Sequence, residues 1–564
     1  MKTSATAFWE RVHPAWVGLL AFLLYLRTLG YGFVAYDDPW LLRDNVLLRN
    51  GSFDSVWRVL TDLSWEQRYR LGAEYLPVRD LSVMLDFAIY GDWIGGLRLT
   101  QVLLFSGICA LLATLTLALF RNRALAWLTG ILFTTHPIHV EAASWLSERK
   151  GVLGSFLLCS SLLVAVSYLR RGGWGRAALA CLLFLLAVGS KAPGIAGAGA
   201  LVLIMLWVDS ALPWTRRAIF AVCYALSGLL VFAVSLRVSR MMGIIVPYHG
   251  EGFADTLLLF FEVHTHYLKS MAYGGPYAIA YPFQPGHAEL GRWLLGAIAA
   301  LSGVGAVASS LFGRWRRGAV TFGLAWWLIF IAPVSHLLVP LQNYAADRYI
   351  WLAGFGLLLA LSAALLKLPR VASVPIAATL IAVGTAWTIV QTPVWSSSEA
   401  LFENAVHVMP GNVGGWDKLA FMAAKRDEPE LAWSFPVEGL RHSPGNWRLL
   451  HRQGLLLSAD GKIDAAIEAM ERAASTPESH KAYANLALLY LRRGDRADAL
   501  RAAEEAVRLE ARSASNQRAL GIVAYGIGDS GTACRAFERA FELDPHDQDN
   551  QKNLELCVRQ EEVR

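Results

Sequence analysis

Runs of roughly 20 apolar residues recur from Ala15 to Gln391 and then stop. Each run, wound as a helix, rises about 30 Å, the thickness of a bilayer core. The pattern predicts spans near 15–30, 98–120, 124–135 (extended by a few residues), 151–169, 176–190, 193–209, 217–236, 291–312, 319–335, 347–366 and 371–391. That makes about eleven crossings. One stretch breaks the pattern. ADTLLLFFEVHTHYLKSMAYGG, within 251–285, is apolar but carries Glu262, His264, His266 and Lys269. It reads as an amphipathic helix on the outer interface, inside an outer loop at 237–290.

After Gln391 the composition turns charged and Ala-rich, and a period appears. Gly461, Gly494 and Gly528 recur in one register, as do Ala466, Ala499 and Ala533, and Ala473, Ala506 and Ala540. A spacing of about 34 residues, with small residues where paired helices cross, is the signature of tetratricopeptide repeats. Units are expected to start near 413, 447, 480 and 514, with Leu401 to Pro410 as a preceding half repeat. The predicted architecture is all-α: a membrane domain at 1–395, with a first outer loop at 31–97, and a repeat α-solenoid at 396–564. Such repeats bind proteins or peptides on a concave face and say little about chemistry.

Composition agrees with a membrane chain: 55% hydrophobic and 17% charged, with 21 Trp among 564 residues. The net charge of +6 points to a bilayer rather than nucleic acid, because its basic clusters fall in short loops: Arg121 and Arg123; Arg170, Arg171 and Arg176; Arg216 and Arg217; Arg314, Arg316 and Arg317; Lys367 and Arg370. Loops of that kind stay cytoplasmic. The segment after the first span then lies outside, and an odd number of crossings puts the repeats outside too. Arg149 with Lys150, and Arg237 with Arg240, fall on the outer side and need another reason. The six cysteines show no CxxC pair and no zinc spacing, so neither a disulfide framework nor a structural metal is expected. The first apolar run lacks an evident cleavage site and reads as a retained helix.

Four polar clusters share the outer face in this topology. Asp37 and Asp38 stand side by side before Pro39; like charges this close raise one another's pKa, which suits a general base, though Asp-Asp-Pro is also good turn chemistry. His136, His139 and Glu141 offer metal-ligand types without a known spacing, and a hydrogen-bonded helix cap accounts for them equally well. Lys191 interrupts two apolar runs, so it needs a partner such as a lipid phosphate, unless it snorkels to the interface. Asp347, Arg348 and Tyr349 combine a phosphate fork with an aromatic ring, or form a simple surface ion pair.

In order, FVAYDDPWLLRDN, LSVMLDFAIYG, THPIHVEAASWLSERKGVL, GSKAPG, YAADRYIWL and VWSSSEALFENAVHVMPGN, followed by the repeats, resemble the TMTC-like family of membrane proteins with tetratricopeptide repeats. That family is similar to protein O-mannosyltransferases within the GT-C glycosyltransferases, which take a sugar from a polyprenyl phosphate carrier on the outer or lumenal leaflet. The resemblance implies that Asp37 and Asp38 are the catalytic acidic pair, one as base and one as positioner. It implies Lys191, Arg348 and Arg79 at the carrier phosphate, and it supplies a reason for Arg149 and Lys150 outside. His136, His139, Glu141, Asp347 and Tyr349 complete the expected substrate site. Two departures stand out: Tyr75-Leu76-Pro77-Val78-Arg79-Asp80 holds no histidine where bacterial relatives read like WHPLTW, and Ala192 separates Lys191 from Pro193.

The function expected is an inverting transfer of a mannose-like sugar from a polyprenyl phosphate-linked donor to a hydroxyl of an acceptor protein, with the repeats recruiting the acceptor. The location expected is a bacterial inner membrane, repeats on the periplasmic side. A divalent cation (Mg or Mn) held by Asp37 and Asp38 stays open, since two basic residues can replace one at a phosphate. A polysaccharide polymerase or ligase with the same donor class, acting on a glycan, and a non-catalytic membrane-anchored repeat scaffold are the alternatives.

Overall fold

A computed structural model describes residues 12–273, 275, 277–281, 290–312, 318–475, 479–544 and 547–562. The chain divides into two compact units, Met1–Leu401 and Phe402–Arg564. Among the described residues there is no strand; the only extended pairing is the bridge between Ile245 and Leu341.

In the first unit the helices are α1 (Val17–Tyr25), α2 (Val46–Arg49), α3 (Phe53–Thr61), α4 (Trp65–Arg70), α5 (Pro77–Tyr90), α6 (Ile94–Phe120), α7 (Arg123–Thr135), α8 (Val140–Ser144), α9 (Arg149–Arg171), α10 (Trp174–Ser190), α11 (Gly197–Trp207), α12 (Trp214–Met241), α13 (Phe253–Tyr273), α14 (Leu290–Phe312), α15 (Ala319–Ile331), α16 (Trp351–Leu365) and α17 (Arg370–Gln391). Among the described residues, four stretches are long and apolar enough to cross a membrane: Ile94–Phe120, Leu146–Arg171, Trp214–Met241 and Arg370–Trp395. Six further apolar segments are shorter: Pro14–Gly30, Trp174–Ser190, Ala192–Trp207, Trp293–Ala306, Ala319–Val334 and Trp351–Leu365. Breaks at proline and polar residues cut them short; Lys191 and Pro193, for example, separate α10 from α11. The outward faces of α12 and α17 leave large apolar side chains uncovered, Leu230 73% and Val371 86% exposed, as a lipid-facing surface does.

The stretch expected to lie on the interface is the helix α13, and its polar residues divide, with Lys269 exposed and others turned inward. Glu262 and His264 are buried, and the Trp327 indole N–H of α15 donates to His264 Nε2 at 3.3 Å. α13 packs against α14, and the Trp327 side chain of α15 reaches its inward face. Residues 282–285 of that stretch and the Arg314, Arg316 and Arg317 cluster lie outside the described residues. Where α15 meets α16 the backbones nearly touch, since a Cβ built on Gly323 or on Gly356 would collide with the other's carbonyl oxygen.

The second unit stacks helix pairs: Val413–Lys425 with Pro429–His442, Trp447–Ala459 with Ile463–Ala474, His480–Arg493 with Arg496–Leu509, and Ala514–Ile527 with Ser530–Leu543. Gly461, Gly494 and Gly528 have φ of +75°, +98° and +93°, so each periodic glycine ends a helix in the left-handed region. Ala466, Ala499, Ala533, Ala473, Ala506 and Ala540 are all fully buried. The expectation of no disulfide is corrected here: Cys534 pairs with Cys557 on the last helix, Gln548–Glu562, with Cα atoms 5.5 Å apart. Folding the final helix back on its neighbour brings the two together across 23 residues, a separation no sequence spacing rule flags.

Gly356→Leu should force α15 and α16 apart and destabilise the first unit by about 1–3 kcal/mol. A lowered melting temperature in detergent, with Gly305→Leu at an open position as the reference, checks it.

Candidate functional site

The segment that follows α1 is pinned by groups it reaches across the bundle. Arg98 of α6 donates to the Tyr31 carbonyl at 2.8 Å and the Ser144 carbonyl at 2.6 Å, and also to the Gly32 carbonyl. Asp38 then faces inward. Its Oδ1 accepts from the Ser147 amide at 3.1 Å and hydroxyl at 2.5 Å, and its Oδ2 from the Val34 amide at 3.1 Å. Burial pushes its carboxyl up to about 6, against the pull of those hydrogen bonds.

Asp37, one residue earlier, turns the other way and lines a cavity of about 1040 Å³. Burial raises its carboxyl above the ordinary range, while Lys150 and Arg348 draw it down. One residue of the acidic pair therefore reaches the cavity and the other anchors the loop. Both Asp38 oxygens accept hydrogen bonds from the protein, and Asp38 is not among the cavity-lining residues. Among the described residues no three His, Cys, Asp or Glu gather to hold a metal.

The remaining wall comes from a broken segment before α9. Short turns at Pro137–His139, Val140–Ser144 and Leu146–Glu148 replace a continuous helix, starting at Pro137. They turn Glu141, Ser147 and Glu148 into the interior. Glu148 pairs with Lys191, and Lys150 with Glu74, both at short range. Glu74 is delivered by a tight turn in which Gly72 and Ala73 have φ of +87° and +60°. Arg348 pairs with Glu141 at 2.7 Å and lies over the rings of Trp145 and Tyr349, at 5.4 and 5.3 Å. The expected Asp347 to Arg348 pair is absent; Asp347 instead accepts from the Tyr281 hydroxyl at 2.8 Å.

Asp37, Arg79, Lys150, Lys191, Arg348 and Tyr349 thus line one cavity. Arg79 does so with its guanidinium committed to Asp80 at 2.5 Å and the Leu71 carbonyl at 2.7 Å. His136, His139, Glu141, Arg149 and Asp347 stand behind the wall. His136 Nδ1 accepts from the Ile138 amide, so Nε2 carries the proton donated to the Met271 carbonyl at 3.0 Å; burial pushes the ring down to about 4. His139 packs 4.0 Å from the Phe133 ring centroid with no hydrogen bond to either nitrogen. Arg149, expected at the substrate, is buried and bonded to Asp86 at 2.7 Å, Gln101 at 2.9 Å and the Leu97 carbonyl at 2.7 Å. It is a structural tie.

Apolar residues line the same cavity, Phe232, Leu236, Ile245, Leu338 and Leu352 among them. Sequence reading missed Glu74 and Glu148 as site residues, and flagged Arg240 without assigning it to the site. Glu148 sits inside the SWLSERK motif, whereas Glu74 carries no local signal.

No family model matches the chain. Among curated proteins, it is 31% identical over 161 residues to protein O-mannosyl-transferase tmtc2 of Xenopus laevis, covering 28% of this chain and 18% of that protein. It is 30% identical over 152 residues to protein O-mannosyl-transferase TMTC1 of Homo sapiens (26% and 17%), and 34% over 166 residues to Tmtc2 of Drosophila melanogaster (28% and 16%). Over this stretch the chain is similar to TMTC proteins. The match spans less than a fifth of the length of these curated relatives. Solved structures similar to the chain include MamA from Desulfovibrio magneticus RS-1, at 21% identity over 26% of this chain and 84% of that one, TM-score 0.23. YrrB, a TPR protein, matches at 19% identity over 29% of this chain and 84% of that one, TM-score 0.24. Scores this low carry no structural inference.

Arg149→Met leaves Asp86 buried without its cation and should cost about 3–5 kcal/mol. Loss of the monodisperse peak on fluorescence-detected size exclusion checks it; an unchanged melt would place Arg149 outside the framework.

Proposed function

We propose that the protein is a membrane glycosyltransferase that moves a sugar from a polyprenyl phosphate carrier to a hydroxyl group of an acceptor protein. The observation that carries this reading is the meeting of Asp37, with no hydrogen bond to its carboxylate among the described residues, with Lys150, Lys191 and Arg348 in one cavity continuous with an apolar wall. An isoprenoid chain suits that wall, and a phosphate suits the cations.

In this mechanism Asp37 takes the proton of the acceptor hydroxyl as its oxygen attacks the sugar C1. The bond from C1 to the phosphate oxygen breaks, and its electron pair leaves with the lipid phosphate. Lys191 and Arg348 stabilise the charge gathering there. Attack opposite the leaving group inverts the anomeric centre. Asp38 holds the loop that presents Asp37. The helix-pair repeats supply a surface for the acceptor polypeptide. Their Cys534–Cys557 bond fits an oxidising compartment, which supports repeats outside the cytoplasm.

Asp37→Asn should lower transfer from a polyprenyl phosphate sugar by about 10² to 10⁴-fold, with the protein still monodisperse. Release of lipid phosphate by purified protein is the readout, and full activity in the variant would remove Asp37 as base.

The base must be unprotonated, so activity falls as pH drops through the Asp37 pKa. Burial raises that pKa, so the acidic limb should sit above that of an exposed aspartate. Lys150 lowers it, so Lys150→Met should move the limb further toward alkaline pH. A pH–rate profile checks the sign; a limb moving toward acid overturns the assignment.

A further inference from the structure

Five basic side chains line the cavity: Arg79, Lys150, Lys191, Arg240 and Arg348. Four are already neutralised, by Asp80, Glu74, Glu148 and Glu141 respectively. Arg240 is the exception among them: it is exposed, and no carboxylate of the described residues pairs with it.

Its position follows from α12. Phe232, Leu236, Ser239 and Arg240 all line the cavity. Their spacing of i, i+4, i+7 and i+8 is one helical face. The Ser235 hydroxyl anchors the helix on the Tyr75 carbonyl at 2.8 Å, beside Glu74, which holds Lys150. Arg240 lies five residues further along, about 7.5 Å of rise. Arg237, on the same helix end and equally exposed, is absent from the cavity wall. A basic residue at the outer end of a span runs against the usual charge bias, and Arg149 and Lys150 resolve that conflict through Asp86 and Glu74. Arg240 has no such internal partner.

We propose that Arg240 binds the phosphate of the lipid-borne ligand, resting on the glycosyltransferase reading above for the ligand's class. The other four cations must share a phosphate with a carboxylate they already hold, whereas Arg240 offers its charge whole. It shares the cavity-lining face of α12 with the apolar Phe232 and Leu236, so a phosphate at Arg240 has its attached chain beside apolar side chains.

The test is direct binding to the full-length protein in detergent, with farnesyl phosphate, farnesol and inorganic phosphate as probes, so that no transfer step is involved. Arg240→Gln should weaken farnesyl phosphate binding about tenfold while leaving farnesol binding unchanged, and Arg240→Lys should recover most of the loss. Arg237→Gln should stay within about twofold of the parent protein. Unchanged farnesyl phosphate binding in Arg240→Gln overturns the proposal, and so does an equal loss in Arg237→Gln, which would mark a general surface-charge effect. Inorganic phosphate competing as strongly as farnesyl phosphate overturns the lipid-borne ligand. If Asp37→Asn keeps full transfer while Arg240→Gln loses binding, the base assignment falls and the phosphate site stands; the reverse result sinks Arg240 alone.

Discussion

A charge inside an apolar helix bundle is tolerated only when another group meets it, because the cost of desolvation otherwise exceeds what packing returns. The first unit is organised by that constraint. Glu74 meets Lys150, Glu148 meets Lys191, Glu141 meets Arg348 and Asp86 meets Arg149. Each pair joins segments distant in sequence, so the pairs decide where the outer loop, the broken turns before α9 and the start of α16 come to rest. The cavity is the space those pairs enclose.

The same constraint divides the labour within Asp37 and Asp38. One carboxylate is spent on Ser147 and Val34 and fixes the loop. Its neighbour, pointing the other way along the chain, is left to the cavity. Burial raises both, so the proton affinity that a base needs comes from the protein framework rather than from the adjacency of the two acids. A ligand entering this space exchanges partners with groups that are largely balanced already, which makes the one unbalanced cation more consequential than the four paired ones.

The repeat unit is held by a different physics. Alanines at a fixed period let paired helices approach closely, and periodic glycines in the left-handed region turn the chain between them. The disulfide adds a covalent tie between the helix Gln548–Glu562 and its neighbour.

The all-α class, the apolar segments and the repeat register were legible in the chain because they rest on local periodicity: 3.6 residues per helical turn and about 34 per repeat. The motifs also marked Asp37, Lys150, Lys191, Arg348 and Tyr349 as residues that meet. What the sequence by itself could not determine was pairing. Arg149 and Lys150 are neighbours of identical charge, yet one is locked behind the wall by Asp86 and the other faces the cavity through Glu74. Asp347 and Arg348 are adjacent, yet each takes a partner from elsewhere. Cys534 and Cys557 carry no spacing signal and still bond. Adjacent residues on a helix or turn point in different directions, and which group lies in each direction is set by how distant segments pack; only the tertiary structure decided that.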